Sequence, residues 1–471
     1  MKLVSSILIT TSFFSCKQTE KKPNILLIIT DQQHAGMMSC TGNPWLQTPA
    51  MDHLASNGVR FELAFSPNPV SVPSRTSMMT GHYSSAFGFE DNIGAFSAKV
   101  PQYVTDHTIG NVFQRAEYQT AYGGKTHWDW TIGLNIENSG FEYLTADERD
   151  ELAEKCASFL KRKHEKPFFL IASFINPHDI CYVVSDSFSK HYQTPLLNPD
   201  NKTERGKNAH AVQLANTAKK EGLFDSLCPP LMQNFNITSN EPEMIMMKYS
   251  GQQPSIFEYV RKEWSHDNWR LHRWIYHRLT EDVDRQIGIV LDALKETGLD
   301  KNTIIVFTSD HGEMDGAHQL VAKSFFYEES VRVPFIISGP GIARNVNDKH
   351  LVSASLDLFP TLCDFAGIDP PDGLPGLSLK PIVFGNTPEK WRDHIFSESE
   401  RGRMVRNKKY KYCIYKQGNP RELLIDLEND PGEMNNLAVD PGYKEVLKEN
   451  RLIMRNWLEE NGDTLIYKYL L

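Results

Sequence analysis

Residues 24–32 read Asn24-Ile25-Leu26-Leu27-Ile28-Ile29-Thr30-Asp31-Gln32, five consecutive apolar side chains that end abruptly at an acid and an amide. A run this short and this continuous suits a strand buried on both faces of a largely parallel sheet. The pattern recurs. Residues 119–124 lead to Lys125 and His127, residues 168–175 (FFLIASFI) lead to Asn176-Pro177-His178-Asp179, and residues 304–308 (IIVFT) lead to Asp310-His311-Gly312. Helical segments such as residues 49–58 and 276–297 alternate with these runs, which predicts an α/β layer architecture. Ligands in open α/β sheets bind beyond the carboxyl ends of the strands. Each run delivers a charged or imidazole group to that end, so the chemistry is expected along one edge of the sheet.

The remaining sequence has other textures. Residues 181–269 are polar, with Pro and Asn throughout, and read as long loops of functional or mobile character. After the Pro- and Gly-rich residues 369–376, residues 404–406 and 410–415 alternate like exposed strands, and a final helix is expected over residues 443–460. A domain boundary near 390 divides the chain into a catalytic α/β domain, 23–390, and a smaller α+β unit, 391–471. At 471 residues the chain is long for one domain and comfortable for two. A hydrophobic fraction of 40% and a charged fraction of 23% describe an ordinary globular protein. The net charge of −9 argues against a nucleic-acid partner. Any anionic substrate must therefore meet positive charge gathered locally. Residues 1–22 read as a targeting segment: Lys2, a mostly apolar stretch too short to span a bilayer, then Ser15-Cys16 and a polar tether. The small residue before Cys16 resembles a lipobox, in which that cysteine is lipidated. Ordinary signal cleavage with Cys16 discarded is the other reading. The six further cysteines form no CxxC pair and read as mostly buried thiols, with one disulfide left open.

The second informative stretch is Ser71-Val72-Pro73-Ser74-Arg75, followed by Thr76-Ser77-Met78-Met79-Thr80-Gly81. A proline with fixed φ suits the first turn of a helix. Ser71 then sits where free backbone N–H groups and the helix dipole favour an anion, and Arg75 adds a full positive charge. Taken alone, Ser71 is equally well read as an N-cap.

Together with PNILLIITDQQ, GGKTHW, FINPHD, TSDHGEMDGAH, KSFFYEESVRVPFIISGPG and LIDLENDPGEMNNL, in that order along the chain, this stretch resembles the type I, formylglycine-dependent sulfatases of the alkaline phosphatase superfamily. The resemblance covers nearly the whole chain after the targeting segment, and its Ser-type site is similar to that of bacterial glycan-foraging sulfatases. It implies a large α/β domain with a central mixed, mostly parallel sheet, and a smaller C-terminal domain built on an antiparallel sheet. It implies that Ser71 is oxidised to formylglycine by a radical-type sulfatase-maturing enzyme, and that an oxygen of the hydrated aldehyde attacks sulfur. One divalent ion, usually Ca²⁺, is implied at Asp31, Gln32, Asp310 and His311, acting as Lewis acid. The family commonly has a second Asp where Gln32 stands and often Asn where His311 stands, so charge and donor type differ here. Arg75, Lys125 and Lys323 are implied to hold the sulfate oxygens and the diol. His127 matches the family's base at the diol, and His178 the acid that protonates the leaving oxygen. Asp179, His318, Arg270, His272 and Arg273 are candidates for supporting or substrate contacts. For residues 264–278 an amphipathic helix that buries its tryptophans is the alternative.

The implied reaction is hydrolysis of a sulfuric ester on a sulfated carbohydrate, including glycosaminoglycan fragments. Export to the periplasm or outer membrane of a Gram-negative bacterium is implied, with contact to a membrane only through a lipid on Cys16. Two other readings stay open on sequence. One is a phosphatase using unmodified Ser71, or a phosphodiester or phosphonate monoester hydrolase of the same superfamily. The other is a surface lipoprotein that binds sulfated glycan without cleaving it.

Overall fold

In the computed structural model, which describes residues 22–191, 197–198, 200, 204–247, 255–386 and 388–463, the opening run is the strand β1, Asn24–Asp31, buried along its whole length. The targeting segment with Cys16 lies outside the described residues. In chain order the other strands are β2 (Gly58–Phe61), β3 (Ala64–Phe65), β4 (Gln119–Gly124), β5 (Glu142–Thr145), β6 (Phe168–Pro177) and β7 (Thr303–Ser309). They are followed by β8 (Phe335–Ser338), β9 (Val346–Asp348) and β10 (Val352–Ser353), and then by β11 (Ile395–Ser399), β12 (Gly402–Arg406), β13 (Tyr410–Tyr415) and β14 (Glu422–Asp426). Eight of them form one sheet in the order β5-β4-β6-β1-β7-β8-β2-β9. The first five run parallel, and β8 is antiparallel to both its neighbours. The sheet is therefore mixed and mostly parallel, as expected.

Strand geometry turns successive side chains to opposite faces, and both faces of this sheet are covered. Ile25, Leu27 and Ile29 join a core with Phe169, Ile171, Val306 and the helix Ala354–Ala366. Leu26 and Ile28 join a second core with Leu170, Ala172 and the helices Pro49–Ser56, Leu152–Leu160 and His266–Glu296. Burial on both sides is the reason these strands read as unbroken apolar runs.

Register gathers the strand ends. β1 pairs with β6 from Ile25↔Phe169 to Asp31↔Pro177, β1 with β7 up to Thr30↔Ser309, and β4 with β6 up to Gly124↔Ser173. Asp31, Lys125, His178 and Asp310 thus emerge side by side at one edge.

Two expectations need correction. Residues 181–269 are not one long loop: they carry the helices Cys181–His191, Glu204–Lys220, Phe224–Leu227 and Ile256–Glu263 and the start of His266–Glu296. On Glu204–Lys220, for example, the buried hydrophobic side chains are only Ala209, Ala215 and Ala218, a weak stripe among polar residues. The strands at 402–406 and 410–415 are not exposed. One face of the antiparallel sheet β11-β12-β13-β14 packs the helix Lys444–Glu460 through Val405, Tyr412, Ile414, Met454 and Trp457. Its other face packs Met404, Cys413 and Ile425 against Phe325, Phe326 and Tyr327 of the catalytic domain. The described cysteines are all free thiols, four of them buried.

Candidate active site

Ser71 is the first residue of the helix Ser71–Thr80, and the extended Val70 precedes it as N-cap without a side-chain cap bond. The N-cap reading of Ser71 therefore falls. All ten residues of this helix are buried, and Gly81, at φ 74°, closes it in the left-handed region. The buried hydroxyl of Ser74 donates to the Asp310 carbonyl at 2.6 Å, which ties the helix to the end of β7.

The Ser71 hydroxyl lies 3.0 Å from His311 Nε2. His311 Nδ1 is 2.9 Å from the Gly312 carbonyl, so Nδ1 carries the proton and Nε2 presents a lone pair to Ser71. Burial, and then the Lys323 ammonium, hold the His311 pKa well below its ordinary value and keep the ring neutral. Ligand atoms of Asp31, Asp310 and His311 all lie within 4.8 Å of one another. Asp31 Oδ1 is buried with no hydrogen-bond partner among the described residues. Burial and the neighbouring Asp31 carboxylate push Asp310 up to about 6. Two carboxylates forced together with a neutral imidazole lone pair make a donor set that suits a divalent cation.

Gln32, the fourth implied ligand, meets other residues through its side-chain amide. Gln32 has φ 63°, rare for a residue with a Cβ and common at functional sites. Its Oε1 accepts from Lys323 Nζ at 2.7 Å, while its Nε2 donates to Glu313 and lies 3.3 Å from Cys181 Sγ. Gln32 therefore bridges the end of β1 to the loop that carries Lys323. Glu313 also accepts from the Ala322 backbone at 2.5 Å, and burial pushes its carboxyl up to about 8. It is a supporting residue that sequence reasoning missed, although it lies inside the quoted TSDHGEMDGAH run.

Arg75 is 1% exposed, and protein acceptors occupy its guanidinium. Nε donates to Asp310 Oδ2 at 2.8 Å and Nη2 to Asp31 Oδ2 at 3.0 Å; Nη1 donates to Ser173 Oγ at 2.7 Å and to the Lys125 carbonyl at 3.1 Å. Arg75, implied to hold the sulfate oxygens or the diol, thus ties both carboxylates to Ser173 and to the Lys125 carbonyl. Ser173, inside β6 and paired with Gly124 at the end of β4, was also unforeseen.

Lys125 is fully buried, with Nζ 2.7 Å from Asp31 Oδ2. Burial works against ionisation of Asp31, but Lys125, His178, Arg75 and Lys323 together hold it well below the carboxylate range. His127 has φ 58°, and its ring lies 4.2 Å from that of Trp130. Burial and then Lys125 pull its pKa down to about 2. His178 opens the short turn His178–Ile180 directly after β6, and burial, Lys125 and Lys323 hold it well below its ordinary value. Burial and the neighbouring lysines keep both imidazoles neutral.

Asp179, Arg270, Arg273 and His318 meet other groups of the chain. Arg149 grips the buried Asp179 through two bonds at 2.9 and 2.8 Å. Arg270 donates to the carbonyls of Pro229 and Cys228, and Arg273 to Asp315 at 3.1 Å. His272 is fully buried in a helix that also buries Trp269 and Trp274. The ring of His318 stacks on Tyr327 at 3.8 Å. Residues 266–278 lie in the helix His266–Glu296, which buries Trp269 and Trp274 as the amphipathic-helix reading expects, while Trp264 precedes it and is half-buried.

Comparison with known proteins gives the family of this chain. The family model Sulfatase matches residues 23–368, and N-sulphoglucosamine sulphohydrolase, C-terminal, matches 316–460, spanning the boundary expected near 390. A Delta 4,5-hexuronate-2-O-sulfatase of Bacteroides thetaiotaomicron is 30% identical over 470 residues, covering 95% of this chain and 91% of that protein. The solved structure of a 2-O GAG sulfatase is 29% identical with a TM-score of 0.78, covering 96% of this chain and 94% of the other. A protein solved in complex with its substrate D-glucosamine-2-N,6-O-disulfate is 26% identical with a TM-score of 0.68, covering 94% of this chain and 99% of the other. Matched along most of its length by that family model and by these relatives, the chain belongs to the sulfatase family of the alkaline phosphatase superfamily and is a sulfuric ester hydrolase.

Proposed function

We propose that this enzyme removes sulfate from a sulfated carbohydrate, with Ser71 matured to formylglycine and one divalent ion, Ca²⁺, held by Asp31, Asp310 and His311. The observation that carries this reading is the Ser71 hydroxyl at the head of a buried helix, 3.0 Å from His311 Nε2 and within the field of Lys125 and Lys323. Hydrated formylglycine supplies an attacking oxygen, and a divalent cation supplies Lewis acidity at that oxygen and at the sulfate.

The chain's own residues do the rest. Lys125 uses one contact on Asp31, which leaves N–H donors for a sulfate oxygen, and Lys323, tethered by Gln32, approaches from the opposite loop. Arg75 keeps Asp31 and Asp310 ionised and oriented. As sulfate charge offsets the two lysines, His178 can hold a proton for the leaving sugar oxygen and His127 can accept one at position 71. Export as a lipoprotein anchored at Cys16, and maturation by a radical-type enzyme, belong to the same proposal.

The test is mass spectrometry joined to an assay. A protein co-produced with a Ser-competent maturase should give a tryptic peptide containing residue 71 that has lost two hydrogens. It should cleave sulfate esters in a panel of regiochemically defined sulfated mono- and disaccharides well above their phosphate analogues. Full activity with unmodified Ser71, or preference for the phosphate analogue, overturns the reading.

A further inference from the structure

His178 is half-buried where β6 ends, and among the described residues its ring has no hydrogen-bond partner and meets no other ring. Its placement therefore rests on the backbone that carries it. That backbone is pinned one residue later, at the fully buried Asp179. Arg149 Nε donates to Asp179 Oδ2 at 2.9 Å and Nη2 to Oδ1 at 2.8 Å, two parallel bonds from one planar fork. Asn208 Nδ2, on the helix Glu204–Lys220, donates to the Asp179 carbonyl at 2.9 Å, and the Asp179 N–H donates to Asn176 Oδ1 at 3.4 Å. Arg149 is anchored in turn. Its N–H donates to Asp147 Oδ1 at 2.9 Å, an oxygen that also receives the N–H groups of Asp150 and Glu151. The Glu148 carbonyl accepts from Ile175 of β6 at 3.4 Å, which ties the same segment to the strand that delivers His178. A buried ion pair adds little net stability over an apolar filling of the same space. A two-bond grip on the residue next to an otherwise unheld imidazole therefore points to placement.

We infer that Arg149 is a positioning residue for the leaving-group acid: through Asp179 it holds the His178 imidazole at the oxygen that departs with the sugar. The inference rests on the assignment of His178 under the proposed function. In that step His178 gives its proton to the sugar oxygen as the S–O bond breaks. Such a transfer needs the two heavy atoms within hydrogen-bond reach, and a displacement of about 1 Å costs on the order of 100-fold. Arg149 acts on the imidazole and not on the sulfate, so its effect is confined to esters whose leaving oxygen needs the proton.

The experiment is a double-mutant cycle on the matured enzyme, run with a sulfated saccharide that the wild type cleaves and with nitrophenyl sulfate. Arg149→Ala should lower kcat on the sugar ester by about 10- to 100-fold with KM within about threefold, and should change turnover of nitrophenyl sulfate by less than about threefold. In a His178→Ala background the same substitution should cost nothing further, because the group it places is gone. Arg149→Lys keeps a cation beside the buried Asp179 but not the two parallel bonds. It guards against misfolding of the alanine variant, and about a tenfold loss on the sugar ester is expected from it. Equal losses on both substrates, an additive loss in the His178→Ala background, or wild-type turnover by Arg149→Lys overturns the positioning role and leaves the acid assignment standing. If His178→Ala itself lowers both substrates equally, the acid assignment falls and this inference with it.

Discussion

His178 stands where β6 runs out, one residue beyond the Pro177 that pairs with Asp31, so the strand register puts its imidazole at the edge of the anion site. Its pKa is depressed by burial, Lys125 and Lys323. A group neutral in the empty site and protonatable beside a bound sulfate suits an acid that acts only on bound substrate. A sugar alkoxide leaves poorly and needs that proton, whereas nitrophenolate does not. General acid catalysis contributes roughly 10²–10⁴-fold where it is required. His178→Ala should therefore lower kcat/KM by that range on a sulfated sugar and by less than about tenfold on nitrophenyl sulfate. Equal losses on both substrates would leave His178 as a sulfate-binding or structural residue. Arg75 carries a different lesson at the same scale. Its spacing from Ser71 puts it on the same buried helix, but its four protein acceptors come from positions up to 235 residues away in sequence. No local pattern could show that the guanidinium is spent on carboxylates.

Among the elements, the loop after β7 is the tightest. Gly312 follows His311, and a Cβ there would lie 1.9 Å from the Glu329 carbonyl oxygen, while its own N–H donates to the Ser330 carbonyl at 2.8 Å. Backbone faces backbone, so no side chain can yield. Gly312→Ala should push the His311 segment out of place, and a displacement of about 1 Å at a reacting site costs on the order of 100-fold. Loss of that size in kcat/KM on every substrate, with less bound divalent metal by elemental analysis and an unchanged far-UV spectrum, is the expected result. Retained activity and metal would show that the loop can shift freely. Strands of this sheet were legible because burial on both faces leaves a one-dimensional trace, an unbroken apolar run. β12 and β13 misled for the converse reason. Arg403, Arg406 and Lys411 look like an exposed face, yet all are buried against partners far off in the chain, such as Glu90, 313 residues from Arg403. The helices of residues 181–269 were hidden because a half-exposed helix keeps only a thin apolar stripe.

For the whole molecule, those buried charges decide how the two sheets are joined. Lys411 on β13 is fully buried, and its ammonium sits 2.8 Å from Glu328 Oε1, 2.7 Å from Glu433 Oε1 and 2.9 Å from the Phe326 carbonyl. Glu328 also receives Arg406 at 3.0 Å, and Arg403 joins Glu90 of the catalytic domain to Asp463. Burial disfavours charge on Glu328, but Arg406 and Lys411 overcome it and hold that carboxyl far below its ordinary range. Glu433 is pushed up to about 7 by burial, and Lys411 is the cation that opposes this. Removing one partner of such a cluster leaves the others buried and uncompensated, a loss of about 3–5 kcal/mol. Lys411→Met keeps the volume and removes the charge, so it isolates that effect. Because the cluster spans the seam, the damage should not stay local. The wild type should unfold in one calorimetric transition, and Lys411→Met should lower that transition as a whole. The loss should be largest well above pH 7, where Glu433 is ionised without its cation, and should shrink as pH falls toward 7, because without Lys411 that carboxyl takes up its proton at a higher pH than in the wild type. A variant that splits the transition in two, melting the C-terminal sheet alone while the catalytic domain keeps its wild-type midpoint, would show that the seam does not couple them.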